Sequence, residues 1–203
     1  MKTTPSTQPW LQPTLAALAA GAATAVLSFT VLPVAAQTTT GSSTTGTTAA
    51  TASPSDAGKL DRADHSMIRN LAEAQMAEIA AAKVALEKSS NAEVKRFAQQ
   101  MVDGHTSALA DVQALATAKG ATLPTDAGML AKTKLTAMKA LSGTLFDKEY
   151  AKHAGVGDHE DTLKLLKKIQ TEAKDADLKA LAGKMLPEVQ RHLDMAKALA
   201  PTR

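Results

Sequence analysis

Four long stretches of this chain place an apolar residue every three or four positions, and each ends at a recognisable helix stop. That period is the signature of helices with one face to bury, and it leaves few architectures open. The first stretch, about 60–89, opens at Asp61 or Asp64 and lines Ile68, Leu71, Gln75, Ile79, Ala82 and Leu86 along one face. It stops at "SSN", where Ser90 and Glu93 have the spacing of a capping box for the next helix. The second runs to Lys119; Gly120 supplies a left-handed stop and Pro124 blocks resumption. Thr144 and Asp147 repeat the capping-box spacing and open a third, about 144–173, interrupted at Gly155 and Gly157. Asp175 or Asp177 caps a fourth, about 176–199, whose stripe is Leu178, Leu181, Met185, Val189, His192, Ala196 and Leu199. Strong helix formers dominate throughout. The longer connection at 120–143 has room for a short helix in "GMLAKTKLTAMKAL". Two tight helix pairs joined by one longer crossover predict an all-α fold, an antiparallel four-helix bundle. Either pair alone would leave half of its apolar stripe wet.

The ends read differently. Residues 1–36 carry one charge, Lys2, then the apolar run "LAALAAGAATAVLSFTVLPVAA", with Val34 and Ala36 where a signal peptidase reads. This is the layout of a signal peptide, and it predicts export to the periplasm with no stable transmembrane anchor after cleavage. No Arg-Arg pair is present, which favours the general secretion route. Residues 37–58, rich in Thr, Ser, Gly and Ala, hold nothing large enough to bury and predict a flexible linker. The remainder, 59–201, is the size of one domain.

Composition removes several function classes. The chain has no cysteine, so it has neither a disulfide nor a thiolate centre, and no cysteine to carry a lipid. Its net charge of +3 is too even for an electrostatic case for nucleic acid, and three Phe and one Tyr give no stacking platform once Trp10 leaves with the leader. The eight methionines include no Met-x-Met cluster and read as core filler. No Ser-His-Asp order and no phosphate loop is present, which argues against an enzyme. A binding, structural or stress-related module is the expectation, with another envelope protein as the candidate partner. Because an exposed apolar strip and a core stripe look alike in sequence, the pattern fixes no oligomeric state.

One feature invites chemistry. Residues equally far from a helix turn meet across it. From the turn near residue 90, Glu78 lies 12 back and His105 lies 15 forward, a mismatch of about 4.5 Å of rise. From the turn near 175, His159 lies 16 back and His192 lies 17 forward. The four fall in or beside the apolar stripes and predict a polar layer across the waist of the fold. Three imidazoles and a carboxylate suit a single transition-metal ion. They do not suit a di-iron centre, which needs Glu-x-x-His on two helices: Val102 and Val189 stand three before His105 and His192, and Glu188 stands four before His192. The alternative is a structural layer whose members satisfy one another, with Tyr150 joining through its hydroxyl. Gly104, Gly155, Gly157 and Gly183, with Pro187, cluster at the same level, where backbones can approach closely and Pro187 bends its helix. The third helix shows two conflicting phases, Phe146–Tyr150–His153–Glu160 and Val156–His159–Leu163. His65 and His153 read as surface residues.

Three stretches carry a family likeness: "AEIAAAKVALEKSSNAEVKRFAQQMVDGHTSALADVQALATAKGATLP", "LSGTLFDKEYAKHAGVGDHEDTLKLLKK" and "LKALAGKMLPEVQRHLDMAKALA". The order of an acidic residue then His105, Phe-Asp then Tyr150, Asp-His-Glu at 158–160 and Leu-Pro before His192 resembles a bacterial family of exported proteins. That family is known as domain of unknown function number forty-one forty-two. The resemblance spans about 60–200 and implies a ferritin-like form of the four-helix bundle, and export. It implies no activity. This chain departs from the family pattern at Gly104, where a good helix former is usual, and in its glycines before Asp-His-Glu.

Overall fold

A computed structural model describes residues 58–200. The leader and all but the last residue of the linker lie outside the described residues, as do the three C-terminal positions. Every element among the described residues is helical: α1 (Arg62–Lys88), α2 (Ala92–Ala118), α3 (Gly128–Lys139), α4 (Gly143–Glu149), a π-helical segment (Tyr150–Gly157), α5 (Asp158–Glu172) and α6 (Ala176–Leu199). None is long and apolar enough to cross a membrane.

The stops and starts follow local chemistry. Asp61 accepts the Asp64 amide to cap α1, and Asp175 accepts the Leu178 amide to cap α6. Asn91, rather than Ser90, caps α2 by accepting the amides of Glu93 and Val94. Ser89 accepts the Asn91 amide one step earlier. The expected box at Thr144 does not form: α4 begins at Gly143, and its preceding residue, Ser142, makes no side-chain cap. Gly120 stands at φ +62°, the left-handed stop that its position implied. α3 occupies the long connection, and α6 runs on through Pro187.

The conflict of phases in the third helix has a structural cause. In the π-helical segment the Asp158 amide bonds to the His153 carbonyl, five residues back. A turn widened by one residue rotates everything after it. Phe146, Tyr150 and Ala154 are therefore buried at steps of four, and the next buried side chain is that of His159, a step of five. The first phase faces inward only at Phe146 and Tyr150, since His153 and Glu160 are exposed; the second faces inward at His159 and Leu163, after the wide turn. Gly155 lets the segment close on its neighbours: a Cβ there would stand 3.0 Å from Cβ of Ala196.

α1 packs on α2 and α5 on α6, while α2 also meets α6, and α1 meets α5. Two apolar clusters result. One gathers Ile68, Leu71, Val112, Leu166, Ile169 and Leu178; the other gathers Ala82, Val94, Phe97, Met101, Phe146 and Tyr150. α1 reaches the first cluster and then the second. α2 and the run from α4 to α5 meet them in the opposite order, and α6 returns to the order of α1. Between the clusters each of these runs spends a polar residue. Asp64 is also buried: it accepts the amides of Lys174 and Asp175, and so fastens the α5–α6 turn to the start of α1.

Candidate metal centre

The polar residues between the two clusters are Gln75 and Glu78 from α1, His105 from α2, His159 and Thr162 from α5, and His192 from α6, all buried. The four positions singled out from sequence come together. The three rings stand edge-to-face, with centroids 5.2 Å (His105–His159), 5.1 Å (His105–His192) and 5.7 Å (His159–His192) apart. One nitrogen from each ring lies within 4.8 Å of the other two. Glu78 stands behind His105 rather than among the rings. His153 is exposed and pairs with Glu149; His65 is half-buried near the start of α1.

Hydrogen-bond partners fix where two of the ring protons sit. His105 Nδ1 lies 2.8 Å from Gln75 Oε1 and 2.8 Å from Glu78 Oε2. The first contact has hydrogen-bond geometry. The second is a charge contact, and Oε2 has no hydrogen bond of its own. Both neighbours accept, so Nδ1 carries a proton, and in the neutral ring Nε2 then keeps its lone pair. His159 Nδ1 donates to the Ala154 carbonyl at 3.2 Å, which leaves its Nε2 bare as well. That carbonyl belongs to the π-helical segment, so the wide turn both aims His159 and orients its ring. The two Nε2 atoms then face each other at 3.2 Å. At His192 the Arg191 guanidinium donates to Nε2 at 3.2 Å, and Nδ1 is buried with no partner.

The charges are set by the same neighbours. Burial opposes ionisation of Glu78, but the His105 ring, through its field and its close contact, His159 and the Thr162 hydroxyl (2.9 Å from Oε1) together hold its pKa down to about 2. Burial, then the neighbouring rings and Arg191, push His192 down to about 3. Burial lowers His159 too. Burial and the Glu78 charge raise Tyr150, whose ring stacks on Phe146 and meets Phe97 edge-on. The sign for stability is the same at His192 and at Glu78. Below about 6.5 the unfolded chain protonates its His192 and the native state does not, so stability falls as pH drops towards 3. Below about 4.5 the unfolded chain also protonates Glu78, and a second loss continues towards 2. Urea unfolding at about pH 7, 5.5 and 4 should show this decline. His192→Gln should flatten its upper part, and a wild type equally stable at all three would contradict the assignment.

Gln75, Thr162 and Arg191 were not among the sequence candidates. Gln75 had a signal, a large polar residue three before Glu78 on a buried stripe. Thr162 had a weaker one, three after His159. Arg191 had none, because it is an exposed residue next in sequence to His192, off the buried stripe.

A helical domain whose buried imidazoles are braced by a carboxylate is the class of protein that this architecture and cluster define. Residues 49–199 match the family described as domain of unknown function (DUF4142), and the chain belongs to that family. No curated protein matches the chain, and no solved structure does.

Proposed function

We propose that this is an exported metal-binding protein that holds a single transition-metal ion on His105, His159 and His192 at the waist of a ferritin-like, antiparallel four-helix bundle. The leader at 1–36 delivers it to the periplasm. The observation that carries the reading is the facing pair of Nε2 atoms at 3.2 Å, with both ring protons committed elsewhere. Two bare lone pairs at that distance repel. A cation between them turns the repulsion into binding, and two nitrogens on one tetrahedral ion stand about 3.3 Å apart. The supporting partners are those that metal-binding histidines use: a carboxylate and an amide behind His105, and a backbone carbonyl behind His159. The unpaired His192 Nδ1 is a third donor without another employment. Neutral imidazoles with no thiolate suit zinc(II) or copper(II).

A second reading is favoured by the Glu78–His105 contact: His105 as an imidazolium that shares its Nε2 proton with His159, a purely structural layer. Titration of the purified protein with zinc(II) or copper(II) separates the two. A ligand at about a hundred times its Kd adds about 2.7 kcal/mol, a rise in Tm on the order of 10 °C for a domain of this size. The rise should vanish in His159→Gln and in His105→Gln, which keeps an amide donor for Glu78. Metal analysis that finds nothing bound, with no thermal shift in the wild type, leaves the structural layer as the answer.

A further inference from the structure

His192 enters the cluster differently from its two partners. A shallow cleft between α2 and α6, lined by Gly104, His105, Met185, Glu188 and His192, reaches its ring from outside. On that side Nε2 faces Gly104, where a Cβ would stand 3.2 Å from it, and accepts from Arg191. Glu188 waits at the same rim, with Oε1 3.8 Å from Nε2 and 3.9 Å from the Arg191 guanidinium. Both are substantially exposed at the side chain, 46% for Glu188 and 56% for Arg191, while that of His192 is 1% exposed. A guanidinium can only donate, so Arg191 selects the His192 tautomer with its proton on Nδ1. That is the nitrogen left without a partner in the interior, and in this tautomer it cannot ligate.

We propose that Glu188 and Arg191 form a tautomer selector for His192, Arg191 holding the non-ligating form and Glu188 the ligating one. When Nδ1 takes a cation its proton leaves to water. Nε2 takes a proton from water at the rim, turns from acceptor to donor, and gives its hydrogen bond to the Glu188 carboxylate in place of Arg191. The ring gains and loses one proton, so its own charge is unchanged. Glu188 and Arg191 are positioning residues: they act through the ring and touch no ion. The selector rests on the reading of the cluster as a metal centre.

Calorimetric titration of the purified full chain with zinc(II), wild type against Glu188→Gln and Arg191→Gln, tests it. Removing the carboxylate that orients a ligating imidazole weakens metal binding about 10–100-fold, so Glu188→Gln should bind that much more weakly. Arg191→Gln should bind several-fold more tightly, and both variants should keep one site per chain. A merely structural pair would shift both affinities in the same direction. The ring nitrogens of His192, followed by 15N NMR, should show Nδ1–H in the metal-free wild type and Nε2–H when zinc is bound. Equal affinities in the three proteins, or an unchanged tautomer on zinc binding, overturn the selector and leave the metal centre standing. A wild type that takes up no zinc overturns both.

Discussion

His105→Ala should cost the fold roughly 3 kcal/mol or more, because it leaves a buried carboxylate without the ring N–H that faces it. Glu78 is 3% exposed, and with His105 gone only the Thr162 hydroxyl would still bond to it. The influence that outweighs burial at this carboxyl comes first from His105. Without that ring, burial wins, and the group must either take up a proton or draw water into a cavity the imidazole has left. His105→Gln retains a donor and should cost less. The decisive comparison is the double variant. In a Glu78→Gln background there is no charge to strand, so His105→Ala should lose well under its single-variant value in urea unfolding. Strict additivity of the two changes would show that the pair is not coupled, and the account of Glu78 as a carboxylate held by His105 would fail with it.

How far this arrangement could be read from the chain differed by element. The helices near 60–89, 91–119 and 176–199 were legible because periodicity and stop signals agree there: Asp61, Asp175 and Gly120 act as their residue types suggest. The capping boxes at Ser90 and Thr144 were not, because a spacing of Ser or Thr and an acid recurs by chance. Asn91, one residue later, competes better for the amides of α2. The level of Glu78, His105, His159 and His192 followed from counting back and forward from two turns, since rise per residue is nearly constant. Rotation about the helix axis does not follow from counting. It is rotation that put Glu78 behind His105 and brought Gln75 and Thr162 to the cluster. In the third helix the break in phase between Phe146–Tyr150 and His159–Leu163 was the trace of the π-helical turn, although His153 and Glu160, read into the first phase, are exposed. The glycines at 155 and 157 marked the place without revealing the kind of irregularity. At the rim Glu188 was legible, standing three before Arg191 and four before His192 at helical spacing, whereas the turn of the Arg191 guanidinium onto the adjacent ring left no pattern.

Gly104→Ala should lower zinc affinity at least about 10-fold, although the substitution improves the helix in which it sits. Alanine in a helix interior is worth up to about 1 kcal/mol over glycine, and Gly104 lies within α2 rather than at its end. The opposing effect is steric. A Cβ at 104 would stand 2.8 Å from Cε1 of His192 and 2.9 Å from Oε1 of Glu188. Glu188 can swing outward into solvent. The His192 ring cannot, because His105 and His159 flank it and it is 1% exposed. Overpacking of this kind costs about 1–3 kcal/mol, which cancels or exceeds the gain in propensity, so the metal-free variant should be no more stable than the wild type. The affinity falls further than the stability, because a ring pushed aside by a few tenths of an ångström still packs but no longer presents its nitrogen to the other two. Gly183→Ala supplies the contrast. Its Cβ would meet only the amide nitrogen of Gln170, at 3.0 Å, on an exposed and flexible side chain. That variant should gain thermal stability and bind zinc as the wild type does. If Gly104→Ala behaves like Gly183→Ala in both measurements, the glycine beside His105 is not there to make room for the third imidazole.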